Sequence, residues 1–103
     1  MRQLKKSNHR QQDFRYQEFL GALLSWEQAV RTECDSEAKK EVLLARAGHL
    51  AAKVFIGDNG LLDREMVGRF QQKTGRLIRL KPEDEKGYRQ PVVITPIGEV
   101  EFM

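Results

Sequence analysis

The chain has 103 residues, 40% hydrophobic and 32% charged, which suffices for one modest core, so we expect a single domain over residues 1–103. Its mixed charges and dispersed aromatic residues exclude a disordered chain, and its single cysteine excludes an internal disulfide. No apolar stretch is long enough to cross a bilayer, and the N-terminus lacks the apolar run of a secretory signal, so we expect a cytoplasmic protein without a membrane partner.

The net charge of +3 is distributed unevenly along the chain. Residues 1–15 carry five basic residues and one acidic residue, and residues 64–81 carry six basic residues and one acidic residue. The remainder of the chain therefore has a net charge of −6. Two basic segments on an acidic chain can form a positive face that attracts a phosphate backbone, although such charge is also common on solvated helices and strands.

Residues 13–32 repeat apolar side chains at the spacing of an amphipathic helix. The apolar positions are Phe14, Phe19, Leu20, Leu23, Leu24, Trp26 and Val30. The preceding residues 1–12 are basic and have two interpretations: a flexible arm that adds phosphate contacts, or a solubilising first part of the same helix.

A second helix is predicted from about residue 37 to residue 56. Asp35 or Ser36 is suited to cap its N-terminus, and its alanines allow a neighbouring helix to approach closely. We therefore expect it to pack antiparallel against the first helix. Gly48 in mid-helix costs about 1 kcal/mol relative to alanine, and close packing is the simplest reason for it.

The segment FIGDNGLLDREM, residues 55–66, places acidic and amide side chains around a glycine, as calcium-binding loops do. With Gly60 at the glycine position of such a loop, however, three of the required oxygen ligands are absent. Gly57 is instead suited to end the second helix, and Asn59 or Asp63 to cap the next one. We interpret the segment as a helix-to-helix turn.

A short third helix is predicted over residues 62–73, with Gly75 as its stop. After this glycine the apolar period changes to two. Residues 76–80 and residues 92–103 predict two strands, the second interrupted by Pro96 and Gly98, with an exposed charged loop between them.

The predicted fold is therefore α+β: a long antiparallel helical hairpin, a short third helix and a C-terminal two-stranded β-hairpin. This order matches the plan of a winged helix-turn-helix, in which the third helix enters the DNA major groove and the loop between the strands touches the backbone. Arginine and glutamine read base edges, while lysine and arginine hold phosphates. The candidate nucleic-acid-binding residues are Arg64, Arg69, Gln72 and Lys73 on the helix, with Arg76, Arg79, Lys81 and Arg89 beside it.

Two features disagree with DNA binding: the second helix is nearly twice the usual length for its place, and the acidic loop tip, residues 82–86, repels phosphate. The alternative is a protein-protein interaction module, such as a phage- or mobile-element-encoded inhibitor or a small regulatory subunit. Its candidate aromatic anchors are Phe14, Tyr16, Trp26 and Tyr88, with a core role favoured for Phe14 and Trp26. The broad apolar sides of the first two helices favour a homodimer.

The sequence predicts no catalytic residue, metal site or cofactor, and we expect no enzymatic activity. Cys34 and His49 could form a nucleophile and base, but the negative charges of Glu33 and Asp35 oppose formation of a thiolate. His49 is more simply a packing histidine beside an apolar stripe. No histidine or cysteine spacing resembles a zinc site, and no glycine-rich phosphate loop is present.

Overall fold

The computed structural model describes the backbone of residues 2–32 and 36–103 and the side chains of residues 13–32 and 36–103. Three helices precede three strands, so the fold is α+β, as predicted. The elements are α1 Arg2–Thr32, α2 Glu37–Phe55, α3 Arg64–Thr74, β1 Leu77–Leu80, β2 Pro91–Thr95 and β3 Gly98–Glu101. The strands form one antiparallel sheet in the order β1-β2-β3, where the sequence predicted two strands.

The additional strand arises because Pro96 and Gly98 make a turn and do not merely interrupt one strand. The Thr95 hydroxyl donates to the Gly98 carbonyl at 2.7 Å and accepts from the Ile97 N–H at 3.3 Å. Gly98 adopts φ 152°, a conformation that favours glycine. Residues 96–97 thus connect β2 to β3, and Thr95 pairs with Gly98 across the hairpin.

Local side-chain chemistry sets the helix ends. Ser36 caps α2 by accepting from the Lys39 N–H at 3.2 Å, and Asp63 caps α3 by accepting from the N–H groups of Glu65 and Met66. Gly75 ends α3 in the left-handed conformation, as predicted. The proposed alternative cap Asp35, together with Glu33 and Cys34, lies outside the described residues.

Residues 56–63 form the predicted turn, and its capping differs in one respect from the expectation. Gly57 does not adopt a positive φ; α2 ends at Phe55, and the left-handed glycine of this turn is Gly60, with φ 79°. The Asn59 side chain accepts from the Leu61 N–H at 3.0 Å. The Asp63 N–H donates back to the Phe55 carbonyl at 2.7 Å, which closes the turn.

Helix α1 starts at Arg2, so the helix includes residues 2–12. It packs against α2, and Arg46 of α2 lies 3.9 Å from Glu18 of α1. Two sequence interpretations are wrong here. Phe14 is 66% exposed, because it lies outside the stripe that faces α2, and His49 is also exposed.

An aromatic cluster joins the three helices at the centre of the core. Phe19, Phe55 and Phe70 come from α1, α2 and α3, are fully buried, and have ring centroids 5.3–5.4 Å apart. Phe102, just after β3, stacks on Phe55 at 5.9 Å. Aromatic pairs at these distances each contribute about 1 kcal/mol beyond their burial, so this cluster anchors the sheet to the helices.

One edge of the sheet lies directly on α2 at Gly48. The Met103 N–H donates to the Gly48 carbonyl at 3.1 Å, and a Cβ at residue 48 would lie 2.2 Å from the Glu101 carbonyl oxygen. The close packing expected at Gly48 is therefore confirmed, although its neighbour is a strand and not a helix. Because α2 covers β3, β1 is the open edge of the sheet.

Candidate binding surface on α3 and the first β-hairpin

The outer side of α3 holds four of the candidate residues together. Met66 and Phe70 turn inward, and this places Arg64, Arg69, Gln72 and Lys73 on the exposed side. Between them lies Gly68, where an added Cβ would meet no atom within 4 Å in the part of the chain that the structure describes. Mid-helix glycine is unfavourable by about 1 kcal/mol, and here no close packing within the described chain explains it.

Arg69 forms an ion pair with a residue of α1. Its Nη1 lies 3.7 Å from an Asp13 carboxylate oxygen, and both side chains are about half exposed. Burial raises the pKa of the nearby Tyr16 hydroxyl, while the positive charge of Arg69 lowers it. An exposed ion pair of this kind stabilises a fold by less than about 1 kcal/mol, but it reduces the positive potential available to a phosphate.

Arg76 belongs to the interior and not to the proposed surface. Its Nη2 and Nε donate to the two carboxylate oxygens of Glu27 at 2.5 and 2.6 Å, and Glu27 is 2% exposed. The hydrogen bonds that Arg76 donates to Glu27 raise the pKa of Arg76. We therefore remove Arg76 from the nucleic-acid candidates. The sequence signal for this pair was a carboxylate at residue 27, four positions after Leu23, within the apolar stripe of α1.

Arg79 and Lys81 lie on the face of the sheet that points away from the helices. Side chains alternate along a strand, and Ile78 between Leu77 and Arg79 packs on the core. Lys81 forms a salt bridge with Glu101 across the sheet, whereas Arg79 is exposed. The structure thus separates these two residues from the basic side of α3.

The loop between β1 and β2, residues 81–90, has an ordered acidic tip. The Asp84 carboxylate accepts from the N–H groups of Lys86 and Tyr88, each at 2.9 Å. Glu83, Asp84 and Glu85 are all exposed. The Arg89 side chain lies at the base of this loop and donates from Nε to the Lys81 carbonyl at 3.0 Å.

An open groove of about 710 Å³ lies between α3, the α2–α3 turn and the β1–β2 hairpin; we call it the hairpin groove. Leu61, Tyr88 and Leu80 line it and are 66%, 59% and 41% exposed. Its charged lining consists of Arg64 and Arg89. Sequence analysis named Tyr88 as a candidate anchor but did not predict the groove, which combines three separate segments.

The open edge of the sheet meets α3 at the end of this groove. The Gln71 side-chain oxygen accepts from the Ile78 N–H at 3.0 Å. This bond holds α3 beside β1 and leaves the part of the edge around Leu80 next to the groove.

In the described ranges 13–32 and 36–103, no three His, Cys, Asp or Glu side chains form a group able to hold a metal ion. None of the helices described by the structure combines the length and apolar character needed to cross a membrane. Searches of family models, curated proteins and solved structures found no match to this chain.

Proposed function

We propose that this protein is a small protein-binding module and that its docking surface is the hairpin groove. The observation that carries the proposal is the convergence of Leu61, Leu80 and Tyr88 on one open groove, with Arg64 and Arg89 as its charged lining. An inhibitor or regulatory subunit acts by binding alone, so this role requires no catalytic residues at the site.

The composition of the hairpin groove supports protein docking. Large apolar side chains that line one exposed groove lose solvent contact when a partner covers them, and each 100 Å² of apolar area so buried contributes about 2.5 kcal/mol. Tyrosine and arginine are enriched among the residues that dominate binding energies. Tyr88 and Arg89 lie side by side in the lining.

Nucleic-acid binding is the second candidate, and the exposed set Arg64, Gln72 and Lys73 on α3 favours it. Three of the eight predicted residues, however, are engaged by carboxylates: Arg69 by Asp13, Arg76 by Glu27 and Lys81 by Glu101. The acidic loop tip adds repulsion where a wing would touch phosphate. Of the five that remain, Arg64, Gln72 and Lys73 lie on one side of the short helix α3, and Arg79 and Arg89 lie on β1 and in the loop after it.

The homodimer predicted from the sequence stays a prediction. Phe14 and Leu24 on α1 and Val42 on α2 are each more than half exposed, and they could pack on a second copy. Sedimentation equilibrium measures this state directly. A monomer at all concentrations would contradict it without affecting the hairpin groove.

The test of the protein-binding proposal is selection of short random peptides displayed on phage against the immobilised protein, followed by affinity measurement of the selected peptides. Filling the groove with Gly68→Trp is expected to weaken their binding at least about tenfold. Gly21→Trp is the matched control, because Gly21 is also helical, exposed and open, but lies on α1 away from the groove. Selected peptides that bind both variants equally would contradict the proposal.

A parallel titration with random-sequence duplex DNA tests the second candidate. Binding that weakens steeply with salt and depends on Gln72 and Lys73 would support the nucleic-acid surface. Absence of binding at low salt, where basic surfaces bind most strongly, would eliminate it.

A further inference from the structure

We propose that the partner segment enters the hairpin groove as an extended acidic peptide and adds a fourth strand to the sheet along β1. This inference rests on the proposed function and specifies the ligand and its geometry. It follows from the hydrogen-bonding pattern of β1, the shape of the groove beside it and the charge of its lining.

The backbone of β1 presents unused hydrogen-bonding groups beside the groove. The Lys81 N–H donates to the Gln90 carbonyl of the neighbouring segment at 2.8 Å. Two residues earlier, Arg79 is paired with Val92 of β2. Since antiparallel bonding alternates along a strand, Ile78 and Leu80 direct their N–H and C=O groups away from β2. Gln71 accepts from the Ile78 N–H, which leaves the Ile78 carbonyl and both groups of Leu80 on the open side.

The groove gives an added strand a place for its side chains. In a strand beside β1, alternate side chains would point toward the helices and lie against Leu61, Val67 and Tyr88. Gly68 widens this space because it has no side chain. Main-chain hydrogen bonds to Leu80 would fix the orientation of the bound peptide, and these apolar contacts would determine which peptide sequences bind.

Two features limit the added strand to a short segment. Gln71 occupies the edge at Ile78, and Pro82 has no N–H to donate beyond Leu80. The hydrogen-bonding groups left for an added strand are therefore the N–H and C=O of Leu80 and the C=O of Ile78. A short ladder of this kind is typical of weak, reversible peptide binding, with the affinity carried by side chains in the groove.

The charge of the groove selects an acidic partner. Arg64 lies at one wall and Arg89 at the other, and none of the described residues that line the groove is acidic. Neither arginine has a carboxylate partner among the described side chains, unlike Arg69 and Arg76. A peptide with carboxylates flanking its apolar residues would match this lining, because complementary charge accelerates encounter and fixes register.

The experiment uses the full chain and a fluorescent synthetic peptide in which two glutamates precede and two follow a valine-threonine-valine core, so that one glutamate at each end shares the face of the valines. Methylating the backbone nitrogens of alternate residues distinguishes strand addition from other docking modes, since only one set of N–H groups faces β1. We expect one methylated set to weaken binding about tenfold and the other to change it less than about twofold. On binding, the amide hydrogen of Leu80 is expected to exchange more slowly, and a lysine-valine peptide is expected not to bind.

The possible outcomes separate this inference from the proposed function. If selected peptides bind the groove but both methylated sets are equivalent, or Leu80 exchange is unchanged, strand addition is overturned and the protein-binding module stands. Equal binding of the lysine-valine peptide, or failure of the glutamate-valine peptide while selected peptides bind, overturns the acidic preference. If no peptide binds at the groove by any readout, both proposals fail.

Discussion

Alanine substitution at three helical glycines provides a direct test of the packing between α2 and the sheet. Gly21, Gly48 and Gly68 all lie within helices, so each gains about 1 kcal/mol of helix propensity when replaced by alanine. At Gly21 and Gly68 no atom of the described residues lies within 4 Å of the added Cβ, and the gain is expected in full.

At Gly48 the same methyl group would lie 2.2 Å from the Glu101 carbonyl oxygen. An ordinary contact is about 3.5 Å, so β3 must move by roughly 1 Å. Overpacking of this size costs about 1–3 kcal/mol, and disturbing the Met103–Gly48 hydrogen bond costs about 1 kcal/mol more. After the propensity gain, Gly48→Ala is expected to destabilise the fold by about 1–3 kcal/mol.

The assay is urea and thermal unfolding followed by circular dichroism. For a domain near this size, 1 kcal/mol corresponds to about 4–8 °C in the melting temperature. Gly21→Ala and Gly68→Ala should raise it and Gly48→Ala should lower it. A Gly48→Ala protein as stable as the other two would refute the contact between α2 and β3.

Three further substitutions test individual groups. Arg76→Ala is expected to lower the free energy of unfolding by about 3–5 kcal/mol in urea titrations, because it leaves the Glu27 carboxylate buried without its partner. The control Lys73→Ala should change the free energy of unfolding by less than about 0.5 kcal/mol. Tyr16→Phe should stabilise the protein by about 1 kcal/mol near neutral pH, because the buried Tyr16 hydroxyl has no hydrogen-bond partner in the described chain. A calorimetric melting temperature no higher than that of wild type would show that the hydroxyl is hydrogen-bonded. Burial raises the pKa of Tyr16, so the unfolded chain loses this proton first, and wild-type stability should fall as pH rises above about 10; Tyr16→Phe should reduce this fall. Leu61→Glu should leave unfolding within about 0.5 kcal/mol of wild type and abolish binding of acidic peptides, a result that peptide titration of the variant would check.

The features that sequence predicted well are those fixed by neighbours in the chain. The capping by Ser36 and Asp63, the stop at Gly75 and the apolar stripes of the helices each depend on a few consecutive residues, and they gave the α+β class. The third strand was missed because a proline and a glycine between apolar residues fit an interruption as well as a turn. Only pairing of Thr95 with Gly98 distinguishes the two.

The candidate site was predictable in part for the same reason. Exposure of Arg64, Gln72 and Lys73 follows from the period of α3 once Met66 and Phe70 are assigned to the core. The role of Arg76 depends on Glu27, 49 positions earlier, and no local pattern connects them. The hairpin groove brings the α2–α3 turn beside the loop after β1, so its shape is a property of the tertiary structure alone.

The hydrogen bond from Ile78 to the Gln71 side chain also bears on solubility. An open sheet edge can pair with the same edge of another molecule, and repeated pairing leads to aggregates. Gln71 occupies part of that edge, and Pro82 interrupts it shortly afterwards. The accessible part of β1 is therefore too short to support extended self-association. Removal of the Gln71 side chain would lengthen this part, and concentrated protein could then use it to form fibrils.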